Sequence, residues 1–279
     1  MKSNAMAGML ILFLSIFAAT YASASSTMCQ ALYQTAKQFT VNGQSDIPDT
    51  ALAVANQKRV WLYSAPDERC KTEGLFVIAD DVLRAYKRFG EYTYISFTTV
   101  KGKNIPGWVN TSAISDYSPN KVSPRKNALS DADFIVVGKA RWFGLGSSWS
   151  RTSAVLSGRE IASGYIGDFP NEVGGLDKFT SHEYKGLSVV SSNINYDKRL
   201  WGIDDDYIIQ AIKVTSVEYK TMRGIRVGDA LEDVHHAYSG IAAKETPETV
   251  SYVMNEQILS FTIANGRVTS VELTWFSRE

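Results

Sequence analysis

Apolar and polar residues change their rhythm several times along the chain. Gly8 to Ala19, GMLILFLSIFAA, is an unbroken apolar run of signal-peptide length, too short for a comfortable bilayer span. Gln30 to Phe39, QALYQTAKQF, reads as a helix, and the polar VNGQSDIPDTALAVANQ after it as a turn-rich connector. Over residues 58–117 short apolar runs alternate with turns: RVWLYSAP, GLFVIA, VLRAYKRF, YTYISFTTV and GWVNTSAI. The stretch YTYISF has period two, which places Tyr92, Tyr94 and Ser96 on one face. Gly102 to Gly107, GKNIPG, punctuates a long hairpin. Strands this short and this closely spaced predict a small barrel.

Residues 118–132, SPNKVSPRKNALSDA, read as an extended, solvated linker carrying Lys121, Arg125 and Lys126. A second domain is expected over 133–279. Its Gly- and Ser-rich start leaves the elements unspecified. GLSVVSSNI, YIIQAIKVTSVEY, QILSFTIA and RVTSVELTWF are then strands rich in β-branched residues. Asn265-Gly266 signals a type I′ hairpin turn. It places Leu259, Phe261 and Ile263 on one face, with Val271, Leu273 and Trp275 likewise on the partner strand. One helix interrupts the strands, in RVGDALEDVHHAYSG. Asp229 is the expected N-cap, with Glu232 three residues on. Leu231, Val234 and Tyr238 form its apolar stripe, and Gly240 ends it. The expected fold class is mainly β with α+β character.

Composition sets the compartment. Lys2 precedes the apolar run, and Ala22 and Ala24 form a small-x-small cleavage pattern, so residues 1–24 read as a signal peptide cut after Ala24. An uncleaved anchor is the alternative, and Met28 before Cys29 speaks against lipidation. The chain has 29 basic and 29 acidic residues, a balance that argues against a nucleic-acid partner. After removal of the leader no second run of membrane-spanning length remains. Two cysteines, Cys29 and Cys70, are present. In an exported protein such a pair is expected to bridge, stapling the leading helix (within 25–57) to the strands that follow. The competing role, a thiol nucleophile, needs a base, and the nearest histidine in sequence is His182.

LYSAPDERC, then LFVIADDVLRAYKRFGEYTYISF, then GWVNTSAI together resemble a bacterial SH3-like (SH3b) domain. The Tyr-Ser-x-Pro opening, the aromatic central strand and Gly107-Trp108-Val109 carry the resemblance. The polar hairpin at Lys101 to Lys103 departs from it and can block a groove. The resemblance implies an aromatic groove for extended ligands, with Tyr63, Tyr92 and Trp108 as ligand-binding residues and Tyr63 and Trp108 exposed. YKTMRGIRVGDALEDVHHAYS is loosely similar to the helix-on-sheet pieces of BamE-like envelope proteins, which implies an interaction module.

Catalytic motifs are sparse. His182, His235 and His236 are the only histidines, and neighbours on a helix point about 100° apart, a poor arrangement for one metal. Asp204-Asp205-Asp206 lacks the alternate spacing of a calcium loop and reads as a solvated turn. No Gly-x-Ser-x-Gly, Walker or dinucleotide motif occurs. The sequence therefore leads to an exported, periplasmic, non-enzymatic binding protein without metal or cofactor, with a cell-wall peptide or an envelope protein as partner. An immunity or inhibitor protein against an envelope-targeting toxin or lysozyme-like enzyme is the alternative. A cell-wall hydrolase using unrecognised carboxylates is the third reading.

Overall fold

A computed structural model describes residues 27–36, 52–139, 141–156, 158–171, 174–194, 196–198 and 207–275. The expected signal peptide and Asp204, Asp205 and Asp206 lie outside the described residues. Strands dominate the architecture, and all the sheets are antiparallel.

Residues 27–36 form helix α1. The first sheet holds β1 (Leu52–Ala55), β2 (Val60–Tyr63), β3 (Lys71–Val77), β4 (Val82–Phe89), β5 (Tyr92–Thr98), β6 (Asn104–Asn110) and β7 (Ile114–Asp116), in the order β3-β2-β6-β5-β4-β1-β7. Alternation along these strands buries Leu62, Leu83, Ile95 and Val109 on one side as a common core. Gly107 is needed for close approach, because a Cβ there would stand 3.1 Å from the Leu62 side chain. This sheet begins earlier than the expected boundary at residue 58. β1 sits within what reads as a polar connector, yet it is buried throughout and pairs with both β4 and β7.

The remaining strands are β8 (Ile135–Val137), β9 (Trp142–Gly144), β10 (Ala162–Pro170), β11 (Leu176–Tyr184), β12 (Leu187–Asn193), β13 (Tyr207–Val214), β14 (Lys220–Thr221), β15 (Lys244–Glu245), β16 (Thr249–Met254), β17 (Gln257–Ala264) and β18 (Arg267–Trp275). Eight of them form a second sheet in the order β10-β11-β12-β13-β18-β17-β16-β15. A small sheet, β14-β8-β9, lies apart from it. Helices α2 (Trp149–Ser153) and α3 (Leu231–Ala237) complete the fold. The Gly- and Ser-rich stretch, illegible by periodicity, contributes β9, α2 and the hairpin β10–β11.

The β17–β18 hairpin forms as its pattern indicates. Asn265 and Gly266 both take positive φ, 52° and 71°, the pairing a type I′ turn requires. Leu259, Phe261, Val271 and Leu273 are buried together beneath α3. Val234 and Tyr238 of the α3 stripe are buried as well, and Tyr238 stacks on Tyr252 with centroids 4.6 Å apart. The cap differs from expectation. Asp229 Oδ2 accepts from the Arg226 amide at 2.9 Å and closes the preceding turn. The helix starts two residues later, where Asp233 Oδ2 accepts from the Ala230 amide at 3.0 Å. The carboxylate still serves an orphan amide, displaced by one position from the predicted box.

The largest correction concerns the linker. Val122, Leu129, Ser130, Asp131 and Ala132 are buried. A short 3₁₀ turn, Asp131–Phe134, sends two carboxylates in different directions. Asp131 Oδ1 accepts from Arg84 of β4, at 3.0 Å from Nε and 2.9 Å from Nη2. Asp133 accepts from Arg223 Nε at 2.7 Å and from the Ser130 amide at 2.8 Å. Burial pushes the Asp133 carboxyl above the usual carboxylate range, while Arg223 and the Ser130 donors pull it back. Both guanidiniums also reach main chain: Arg84 donates to the Leu145 carbonyl at 2.7 Å, and Arg223 to those of Arg125 and Ala128 at 2.8 and 3.0 Å. Arg125, expected in solvent, donates to the Thr98 carbonyl at 2.7 Å. Lys121 and Lys126 are exposed as expected, while Arg125, Asp131 and Asp133 are spent on contacts within the protein. Apolar contacts follow the same path. Leu52, Val82, Tyr117, Val122 and Ile135 form one cluster, and Tyr117 meets Trp142 edge-on at 5.0 Å.

Arg84→Met strands the Asp131 carboxylate in the interior. Its expected cost is about 3–5 kcal/mol of unfolding free energy, measured by urea denaturation. Arg84→Met combined with Asp131→Leu removes both charges, and stability is expected to recover most of that loss.

Candidate functional site

Three places merit consideration as sites. The first gathers the residues the sequence selects. Tyr63 on β2 and Tyr94 on β5 both stand opposite Trp108 of β6, because the pleat puts these positions on one face. Tyr63 and Tyr92 rings meet edge-on at 5.3 Å, and Tyr94 and Trp108 lie 5.2 Å apart. The structure therefore brings Tyr63, Tyr92 and Trp108 together. It does not leave them open. Helix α1 lies on the patch, with Ala36 fully buried against Tyr92 and Trp108 and with Tyr33 edge-on to Tyr94 at 6.5 Å. Trp108 is 1% exposed, contrary to the expectation of a surface ring, and Tyr63 is half-buried. The physical reason is plain: a large apolar face is covered by whatever chain is tethered nearby. Burial, then the neighbouring Tyr63, raises the Tyr92 phenol above its ordinary range.

The tether is the Cys29–Cys70 disulfide, with Cα atoms 5.7 Å apart. Its second half sits in a rigid turn. Asp67 accepts from the Arg69 amide at 2.9 Å and from the Arg69 guanidinium at 2.9 and 2.8 Å. These bonds hold the Asp67 carboxyl at about 2. The Asp67 carbonyl accepts from the Cys70 amide at 2.9 Å.

The second place is a polar cleft of about 360 Å³ between the two large sheets. The Arg84–Asp131 pair forms part of its wall, with Ser96 and Thr98 of β5 beside it. The turn between β16 and β17, carrying Asn255 and Glu256, forms the opposite rim, and Asn255 Nδ2 stands 3.4 Å from Thr98 Oγ1. Gln257 and Trp275, Cα partners across β17 and β18, line it as well, together with Tyr86 of β4 and Asn104 of β6. Arg84 packs over the Trp275 ring, 5.2 Å from its centroid. Gln257 is buried, and its Oε1 has no hydrogen-bond partner. A volume of this order suits one short polar group or chain rather than a large cofactor.

The third is an array that sequence reasoning missed. His182 Nδ1 lies 2.8 Å from Glu160 Oε1 and its Nε2 lies 2.9 Å from Ser191 Oγ. The imidazole stacks on Trp149 with centroids 4.0 Å apart. The connectivity is that of a serine, base and acid triad. Yet Ser191 is wholly buried within β12, and a nucleophile must reach its substrate. We read the array as structural, tying β11 and β12 to the segment before β10. Of the other histidines, His235 Nε2 stands 3.2 Å from Glu245 Oε1, at the surface.

No signal in the sequence joins Arg84 to Asp131 or His182 to Glu160. Their partners are far apart in the chain, and no local period reports them. The one hint is that Arg84 interrupts an apolar strand.

No protein-family model matches the chain, and no curated protein matches it.

Replacing both Cys29 and Cys70 by serine is expected to cost up to about 4 kcal/mol of unfolding free energy, the chain-entropy value for a loop of this length. Comparison of urea midpoints between the variant and the unreduced protein measures it. Ser191→Ala is expected to cost about 1–3 kcal/mol, because His182 loses a buried partner. The unmodified protein should resist labelling by a fluorophosphonate; labelling at Ser191 would show an accessible nucleophile.

Proposed function

We propose that the protein is an exported, non-enzymatic binding protein of the bacterial cell envelope, and that it holds a cell-wall peptide or envelope partner in the polar cleft between its two large sheets. The cleft carries this reading. It unites a buried ion pair, a buried amide side chain and an indole from separate elements of the fold. The resemblance to SH3-like domains implies a ligand groove at Tyr63, Tyr92 and Trp108. With α1 over them, the working surface moves to the cleft. The disulfide is compatible with an oxidising compartment, and no helix among the described residues is long and apolar enough to cross a membrane.

A second reading is an inhibitor or immunity protein that plugs a toxin or lysozyme-like hydrolase. It draws on β10, which lies at the edge of the eight-stranded sheet and exposes Tyr165, Ile166 and Phe169. Co-purification of a secreted hydrolase in a stable complex, without retention on cell wall, would favour it.

The wall reading makes a direct demand. The mature, disulfide-bonded protein should be retained on purified peptidoglycan above a control protein of similar size and charge. It should also be released by soluble wall peptides. Retention no greater than the control removes the wall as its ligand.

A further inference from the structure

What a ligand can touch in the cleft narrows what the cleft holds, on the reading that it is the protein's binding site. The side chains within reach come from separate elements. Tyr86 of β4 is 41% exposed. Asn104, at the start of β6, and Asn255 and Glu256, in the β16–β17 turn, are exposed as well, and Trp275 of β18 is half-buried. Asn255 spends one amide hydrogen on Thr98, and the Tyr86 phenol shares one bond with Ser96 at 3.1 Å. Both keep capacity to spare, since a side-chain amide carries two hydrogens and an acceptor, and a phenol donates and accepts. Of the charged residues in the lining, Arg84 and Asp131 neutralise each other at 2.9 Å, which leaves the Glu256 carboxylate at the rim.

The reachable surface is therefore mixed, with amide and hydroxyl donors beside acceptors. An ammonium group uses the acceptors alone. A carboxylate uses the donors alone and meets Glu256 besides. A sugar hydroxyl uses both kinds at once. Trp275 adds an apolar ring against which the C–H face of a sugar can pack, and Arg84 lies over that ring, 5.2 Å from its centroid. A cleft of about 360 Å³ is at the small end of ligand pockets, enough for a sugar ring rather than a long strand.

We propose that the cleft binds one neutral sugar ring of a glycan. The Asn104 and Asn255 amides and the Tyr86 phenol share its hydroxyls, and Trp275 lies against its C–H face.

Calorimetry on the mature, disulfide-bonded protein tests this with three probes: the trisaccharide of N-acetylglucosamine, the β-1,4 trisaccharide of glucose, and the blocked peptide acetyl-Ala-Lys-Ala methyl ester. One or both trisaccharides should bind at least tenfold more tightly than the peptide, and the better of the two tells whether an acetamido group is read. Asn104→Ala and Asn255→Gly should each weaken that binding at least tenfold while the melting temperature stays close to the parent's. Glycine is used at 255 because that position has φ 54°. A peptide that binds as tightly as the sugars, or sugar binding that both variants leave untouched, overturns the proposal. If neither trisaccharide binds while retention on peptidoglycan persists, the sugar assignment is overturned and the broader function stands. If a trisaccharide binds through Asn104 and Asn255 but peptidoglycan retention is absent, the sugar assignment stands and the wall is not its source.

Discussion

Two carboxylates buried two residues apart set the terms for the whole molecule. Asp131 and Asp133 flank Ala132 in a turn from which water is excluded. An ionised carboxylate in such a place must have a counter-charge, or the fold that buries it is abandoned. Arg84 reaches one from the first sheet, and Arg223 reaches the other from the turn that leads toward α3. The turn is thereby fixed to both halves at once. Apolar packing around Leu52, Val122 and Ile135 adds area without direction, whereas the guanidiniums specify where each half must stand. The net gain in stability from such pairs is small. Their effect is to make every other arrangement costly, because any displacement leaves a charge alone.

The cleft inherits its shape from this joint. Arg84 lies under Trp275 and beside Asp131, so the residue that ties the halves also floors the space between them. Preorganisation follows. The Asn255 side-chain amide donates to the Thr98 hydroxyl at 3.4 Å, so the β16–β17 turn is joined to β5 at one edge of the cleft. A ligand entering it meets walls that are already set, and it spends little of its binding energy on ordering them.

How much of this the sequence discloses depends on the range of the interaction. Short-range facts are legible. Asn265-Gly266, the period-two strands around it and the Val234 and Tyr238 stripe are local patterns, and local geometry reproduces them. The cysteine pair is legible because only one partner is possible. Long-range facts are not. SPNKVSPRKNALSDA has the composition of a solvated connector, and nothing within it says that Arg84 waits elsewhere for Asp131, or Arg223 for Asp133 just beyond it. Trp108 is expected as an exposed ligand-binding ring, and only the position of α1 decides that it is buried. Asp229 is the expected cap, but its carboxylate closes the turn at the Arg226 amide, and the helix begins after Ala230, whose amide donates to Asp233. His182, Glu160 and Ser191 lie on separate strands and segments, so their array is a product of register, which residue order does not print.

The relation between α1 and the aromatic patch bears on which surface is free to bind. A short helix does not persist alone in water, since nucleation is costly and few backbone bonds repay it. Docking on Tyr92, Tyr94 and Trp108 supplies the missing burial, and the Cys29–Cys70 bond keeps the helix at high effective concentration over them. The fit is apolar rather than polar: Ala36 is the residue buried deepest there, and the Trp108 indole Nε1 finds no acceptor. An outside peptide competing for this face would have to displace a partner held by a covalent bond, at a local concentration that free ligands do not reach. The oxidised protein has thus committed its aromatic face to its own architecture.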